Sequence, residues 1–159
     1  MTARPTRIAA ERVVAATPEA LFAFLVDLEN HWLLADRFVV VGTLERPAPG
    51  APAQGGTVRM QGPLGLARTA HTRVVSSEAP RFIEGTAAVG RGTEALVRWS
   101  LSPANEGTRV RLEATVVRAG PLESVLLRAG GRIWLERRFA SILETLGRRV
   151  ARPAQEPSA

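Results

Sequence analysis

Several residue types that carry common protein chemistry are missing from this 159-residue chain. It has no cysteine, which excludes disulfides, thiolate metal ligands and a cysteine nucleophile, and which is typical of a cytoplasmic location. All 21 basic residues are arginine, so without lysine the chain can form neither a Schiff base nor a lysine-containing phosphate loop. Tyrosine is absent as well, which removes one of the usual proton-transferring side chains.

Long hydrophobic runs are also absent. No apolar stretch reaches the roughly 18 residues that a membrane-spanning helix needs, and the N-terminus lacks the apolar segment of a secretory signal. The net charge of +6 comes from arginines spread along the chain, with only Arg137-Arg138 and Arg148-Arg149 adjacent. Because nucleic-acid-binding surfaces usually concentrate their basic residues on one face, we expect no nucleic-acid partner and no membrane span. Binding of acidic partners is the weakest alternative.

Few residues are available for metal or nucleophile chemistry. The two histidines, His31 and His71, and the two aspartates are too few and too scattered for a metal site, and there is no Gly-x-Ser-x-Gly or dinucleotide pattern. We therefore expect no metal and no cofactor. The position of His31 beside Trp32 favours a structural capping role, and His71 alternates with Arg73 on a predicted outer face.

The N-terminal part of the chain predicts a strand followed by a short helix. Residues Ile8–Ala15 have the alternation and β-branched content of a strand. Thr17 is a good N-cap, and Pro18 fits the first helical position because its missing N–H has no partner there in any case. The helix has one apolar face, formed by Leu21, Phe22, Leu25 and Leu28, and a polar exit at Asp27, Asn30 and His31. A second short turn is predicted to begin at Trp32.

The rest of the chain predicts further strands closed by one long helix. Apolar residues recur at helical spacing from Pro121 to Val150, and Gly130-Gly131 should kink or break this helix. The length favours one domain over residues 6–150, with disordered tails at 1–5 and 152–159. We predict an α+β fold in which a seven-stranded antiparallel sheet wraps around the C-terminal helix. The six further strands are Arg37–Leu44, Thr57–Gln61, Leu66–Ser76, Arg81–Val89, Glu94–Ser102 and Thr108–Val117.

Alternation gives most strands one apolar and one charged face, so the apolar face of the sheet must be covered by the long helix and the short insert. Two strands depart from this pattern, because the predicted inward set of one contains Arg68 and that of the other contains Glu84. An unpaired buried charge costs several kcal/mol. Either the strand assignment is shifted by one residue or a strand end is open to solvent, or these side chains line a wet or ligand-filled cavity.

A set of motifs completes the sequence pattern: Ile8–Ala16 leading into Thr17-Pro18-Glu19, the Asp27 to His31-Trp32 exit, Gly62-Pro63-Leu64-Gly65, Pro80-Arg81, Trp99, and the helix from Pro121 with Gly130-Gly131 and Trp134. In these motifs the chain resembles the START/polyketide-cyclase superfamily, also called SRPBCC, over residues 6–150. The resemblance implies the helix-grip fold and a deep cavity between sheet and long helix that holds lipids, polyketides, sterols or other apolar molecules. Some members cyclise or dehydrate polyketides, and many only bind or carry ligands.

Two functions follow from the pattern and the resemblance. The first is binding or carriage of a hydrophobic, lipid- or polyketide-like small molecule, with cavity residues Met60, Arg68, Glu84, Trp99, Trp134 and Phe139. The second is a cyclase or dehydratase, in which Arg68 would stabilise an enolate oxyanion and Glu84 would act as base. The sequence does not decide whether the protein is an enzyme, and it leaves a homodimer open.

Overall fold

The computed structural model describes residues 4–35, 38–62 and 65–151. In these residues seven strands form one antiparallel sheet with the order β1-β7-β6-β5-β4-β3-β2. The strands are β1 (Thr6–Val14), β2 (Val39–Glu45), β3 (Gly55–Gln61), β4 (Ala67–Glu78), β5 (Phe82–Val89), β6 (Thr93–Ala104) and β7 (Gly107–Arg118). The helices are α1 (Pro18–Leu25), α2 (Leu28–Leu34), α3 (Pro121–Leu126) and α4 (Arg132–Val150), with a π-type turn at Leu127–Gly131.

This architecture confirms the predicted seven-stranded antiparallel sheet, the long C-terminal helical segment and the helical insert after the first strand. The predicted tail 152–159, most of the predicted tail 1–5, the start of the predicted strand at Arg37 and the centre of the Gly62–Gly65 turn lie outside the described residues. Within the described part of the chain, no helix is both long and apolar enough to cross a membrane.

The helical insert consists of two helices with separate caps. The Thr17 hydroxyl accepts a hydrogen bond from the Ala20 N–H (3.2 Å), as its capping role predicted. Asp27 then caps α2, since its carboxylate accepts from the Glu29 N–H at 3.0 Å. The prediction placed the second turn too late, at Trp32, because the polar run from Asp27 to His31 was interpreted as the end of one helix rather than the start of the next.

The faces of β3, β4, β6 and β7 are as the alternation predicts, with the side chains of Val58, Ala70, Trp99 and Leu112 buried under the helices. The face of β5 was predicted wrongly. Ile83 is buried and pairs with Trp99, whereas Glu84 pairs with Arg98 on the opposite face. The alternation itself favoured the inner set, since it carries no charged or polar side chain, and the prediction chose the set with Glu84 instead. The inner set is Ile83, Gly85, Ala87 and Val89.

Two apolar clusters hold the helices against the sheet. The larger joins α4 to β1, β6 and β7, and Leu143 and Leu146 of α4 are fully buried in it against Val14 and Val110. The smaller lies under α2 and packs Leu28 and Trp32 against strands β3 and β4, through residues Val58 and Ala70. The clusters cover different parts of the sheet, and members of both, such as Val58 and Leu112, line the cavity between them.

The predicted break in the C-terminal helix occurs at Gly130. Its φ angle of +103° belongs to the region that favours glycine, and it turns the chain between α3 and α4. Gly131 is needed for a different reason, since a Cβ there would lie 2.6 Å from the Leu126 carbonyl oxygen. The two glycines thus let α3 sit at an angle to α4 and close one end of the sheet.

Candidate ligand-binding cavity

A cavity of about 500 Å³ lies between the sheet and the helices. All seven strands contribute to its floor, and α2, α3, the π-type turn and α4 contribute to its remaining walls. Most of the lining side chains are apolar. A space of this size and character falls in the range of small-molecule sites in proteins.

Five of the six residues predicted for the cavity line it, namely Met60, Arg68, Trp99, Trp134 and Phe139. Their contribution to ligand binding stays a prediction. The sixth, Glu84, lies on the outer face of β5, where its carboxylate accepts a hydrogen bond from Arg98 at 3.1 Å. The Arg98 guanidinium in turn covers the Phe82 ring at 4.1 Å, which explains why an aromatic side chain is tolerated on that face.

The partner of Arg68 is Glu123 in the first turn of α3. The Arg68 Nε donates to a Glu123 carboxylate oxygen at 3.2 Å, and its Nη1 donates to the Ala67 carbonyl oxygen at 3.2 Å. The two side chains are mostly shielded, with 25% and 16% of their surfaces exposed. The pair packs beside Gly90, where a Cβ would lie 3.3 Å from both side chains. The structure therefore does not bring the predicted pair Arg68 and Glu84 together.

The first residues of α3 are held from the sheet side as well. The Gly120 N–H donates to the buried Thr93 hydroxyl at 3.0 Å, so the chain enters α3 at a fixed point at the start of β6. On the inner side of this segment, Leu126 and Leu127 line the cavity. The ion pair and this hydrogen bond together anchor the segment that closes one end of the cavity.

His31 caps α1, which confirms its predicted structural role. Its Nε2 lies 2.5 Å from the carbonyl oxygen of Leu25, the last residue of α1. The neighbouring Asn30 amide donates to the Phe24 carbonyl oxygen at 2.7 Å, so two side chains of α2 satisfy the free carbonyls of α1. The other predicted surface histidine, His71, is exposed on β4.

His31 also belongs to the cavity wall, which the sequence did not indicate. Its ring lies against that of Trp99, with 5.3 Å between centroids and a tilt of 56°. Burial lowers the pKa of His31 to about 4, although the hydrogen bond to Leu25 and the charge of Asp27 act in the opposite direction. The imidazole is therefore neutral at neutral pH.

Asp27 ties the helical insert to the loop between β2 and β3. One carboxylate oxygen accepts from the backbone N–H groups of Glu29 and Ala53, at 3.0 and 3.2 Å, and the other accepts from Arg46 at 3.1 Å. Burial alone would raise the pKa of Asp27, but the bonds from Arg46 and the two N–H groups outweigh it and lower the pKa. This network fixes α2, and with it His31, relative to the sheet.

A stacked cation lies on the α4 side of the cavity. The Arg138 guanidinium lies over the Phe38 ring, 3.3 Å from its centroid, and 5.0 Å from the centroid of Trp134. This explains the position of Trp134, which departs from the apolar stripe of the helix yet lines the cavity. The sequence analysis treated Arg138 only as one of an adjacent pair, although its i,i+4 spacing from Trp134 distinguishes it from Arg137.

Solved structures with this architecture are numerous, and their sequences are distant. A protein of Thermus thermophilus is 23% identical, with a TM-score of 0.66, and the match covers 92% of this chain and 97% of that one. A Rhodobacter sphaeroides protein is 26% identical over 95% and 94% of the two chains, with a TM-score of 0.61. A START superfamily protein of Mycobacterium smegmatis is 16% identical over 91% and 97%, with a TM-score of 0.67. Among curated proteins, none matches the sequence.

The sheet, the insert and the long helix with its cavity define a helix-grip protein of the START/SRPBCC type, as the sequence motifs predicted. The family model described as polyketide cyclase/dehydrase and lipid transport matches residues 5–151, nearly the whole chain. The chain belongs to that family.

Proposed function

We propose that the protein binds or carries an apolar small molecule of lipid- or polyketide-like character in the cavity between the sheet and α4. The observation that carries this proposal is the space of about 500 Å³ with predominantly apolar walls. Each 100 Å² of apolar ligand surface buried there would contribute about 2.5 kcal/mol before the costs of association. The family description, which names both enzymes and lipid transport, supports a ligand of this kind.

Filling the cavity tests the proposal. Ala95 lines the cavity on β6, whereas its neighbour Leu96 faces outward with 39% of its surface exposed. Ala95→Phe should therefore weaken binding of the neutral fluorescent probe N-phenyl-1-naphthylamine by about tenfold or more, because the added ring occupies ligand space. The matched variant Leu96→Phe should bind as the native protein does.

Fluorescence titration measures both affinities, and circular dichroism verifies that each variant is folded. Mass spectrometry of ligand extracted from natively purified protein then identifies the natural occupant. Equal binding by the native protein and Ala95→Phe, or no binding by the native protein, would contradict the proposal.

An enzyme of the cyclase or dehydratase type is the second candidate, favoured by one observation, the presence of Arg68 in the cavity wall. Glu84, the carboxylate that the sequence analysis paired with Arg68, lies outside the cavity. Glu123 is therefore the carboxylate that could act with Arg68. In the pair as it stands, each charge neutralises the other. A structural role therefore explains the contact without any reaction.

Substitution of the pair separates the two roles. If the pair is structural, Arg68→Gln and Glu123→Gln should each lower the free energy of unfolding by about 1–2 kcal/mol, because one shielded charge loses its partner. The double variant should lose less than the sum. Glu84→Gln, on the exposed face, should lose less than either. Unchanged stability in Arg68→Gln and Glu123→Gln, with loss of turnover of a polyketide-like substrate, would instead support catalysis.

A further inference from the structure

The hydrogen bond of His31 determines which of its ring nitrogens carries the proton. The Leu25 carbonyl oxygen can only accept, so the Nε2 that lies 2.5 Å from it must be the donor. A neutral imidazole has a single N–H, and the lowered pKa of His31 keeps the ring neutral. The Nδ1 atom is therefore an unprotonated hydrogen-bond acceptor.

This acceptor belongs to a side chain of the cavity wall. His31 lines the cavity, and within the described residues Nε2 makes the ring's hydrogen bond. In the same part of the chain, no buried side-chain nitrogen or oxygen lacks a hydrogen-bond partner. Nδ1 has no protein partner among the described residues and its ring lines the cavity, so it is the ring nitrogen left for a ligand.

The chemistry of the wall around His31 limits what can satisfy Nδ1. The imidazole packs beside the tilted Trp99 ring, and most of the lining side chains are apolar, which favours an apolar ligand. Of the charged side chains in the wall, Arg68 and Glu123 satisfy each other at 3.2 Å, and Arg138 is stacked on aromatic rings. A fully apolar ligand would leave Nδ1 without a partner, and a carboxylate or ether would place a second acceptor against it.

We propose that His31 Nδ1 accepts a hydrogen bond from a hydroxyl group of an otherwise apolar ligand, so that the cavity selects phenols or alcohols over matched molecules without a donor. This inference rests on the proposed function and names the ligand class for the same site. The bond to Leu25 and the packing against Trp99 hold the imidazole in place. His31 is then a specificity-determining residue as well as a cap.

Two probes of nearly equal size test this selection, 1-hydroxypyrene, which has a donor, and 1-methoxypyrene, which has none. The ratio of their dissociation constants is measured by fluorescence for the native protein and for His31→Phe, which keeps a ring but has no acceptor. The preference for 1-hydroxypyrene should fall by about two- to tenfold in His31→Phe, the contribution of one neutral hydrogen bond. The matched control His71→Phe, on the exposed outer face, should leave the ratio unchanged.

A second variant and a direct measurement cover the case in which His31→Phe does not fold. His31→Gln can donate to Leu25 through its amide and offer its carbonyl oxygen to the cavity, so it should keep the preference. In the native protein, the ¹⁵N resonances of His31 should show the Nε2–H form, and 1-hydroxypyrene, unlike 1-methoxypyrene, should shift the Nδ1 resonance. An unchanged ratio in His31→Phe or an unshifted Nδ1 would overturn the inference alone. Failure of both probes to bind the native protein would overturn the proposed function as well.

Discussion

His31 connects the end of α1 with the cavity wall, since its Nε2 bonds to Leu25 and its ring packs against Trp99. The Nε2–H satisfies the Leu25 carbonyl, and Asn30 does the same for Phe24, so the tight junction between α1 and α2 has no free carbonyl at these positions. The Asp27 network holds α2 against the β2–β3 loop. Because the folded protein holds His31 in its neutral form, the free energy of unfolding should depend on pH.

Stability should decrease as the pH falls from about 6.5 towards 4. The folded-state pKa of His31 is lowered to about 4 from 6.5, so in this window the unfolded chain takes up a proton that the folded chain does not. Between pH 7 and pH 5 the free energy of unfolding should fall by roughly 2 kcal/mol, and it should not depend on His31 above pH 7. Urea unfolding at several pH values measures this.

The two histidines provide the control for this prediction. His31→Gln should remove most of the dependence between pH 7 and pH 5, whereas His71→Gln should retain it. The lowered pKa of Asp27 places its contribution at lower pH, since that carboxylate stays ionised throughout the window. Equal slopes in the native protein and His31→Gln would show that the ring is not held neutral.

At the scale of elements, two glycines in the C-terminal segment have opposite roles. Gly130 has φ +103° with nothing within 4 Å of a Cβ, so it is required for its backbone conformation alone. Gly147 lies inside α4, and a Cβ there would make only ordinary contacts with Arg12 at 3.8 Å and Val14 at 4.0 Å. Helix propensity therefore disfavours glycine at the second position.

Alanine substitution should accordingly change stability in opposite directions. Gly130→Ala should destabilise the protein by about 1–2 kcal/mol, because an L-residue is strained at this φ. Gly147→Ala should stabilise it by about 0.5–1 kcal/mol. Thermal unfolding measures both, and a stabilising Gly130→Ala would mean that α3 and α4 can join without the break.

Sequence patterns predicted the elements better than the pairing of charges between them. The N-cap at Thr17, the break at Gly130 and the faces of four strands follow from local chemistry and periodicity. The side of β5 that carries Glu84 depends on register with β6, and the Arg68–Glu123 contact joins residues 55 positions apart. Such contacts are set by the packing of α3 on the sheet, which no local pattern encodes.

At the scale of the whole molecule, the sheet and α4 enclose a space that the two apolar clusters leave unfilled. A ligand that binds only the folded state should raise its stability by mass action, by about 2.7 kcal/mol at 100 times the dissociation constant. For a chain of this length, N-phenyl-1-naphthylamine should then raise the melting temperature by about 5–10 °C.

Calorimetry with and without the probe measures this shift. In Ala95→Phe, the added ring occupies the same space, so tenfold weaker binding should reduce the rise in melting temperature to about half, and a larger loss of affinity should reduce it further. An equal increase in the native protein and in Ala95→Phe would place the binding site outside the cavity.

The pairing of β1 with β7 has a consequence for the protein during its synthesis. Thr6 pairs with Val116 and Val14 with Thr108, so roughly a hundred residues separate the partners. At about 5–20 residues per second, the first strand leaves the ribosome roughly 5–20 s before its neighbour exists. The long helix α4, which packs on β1, is made later still. The nascent chain must therefore wait with its first strand unpaired, and the cavity can form only after α4 has been synthesised.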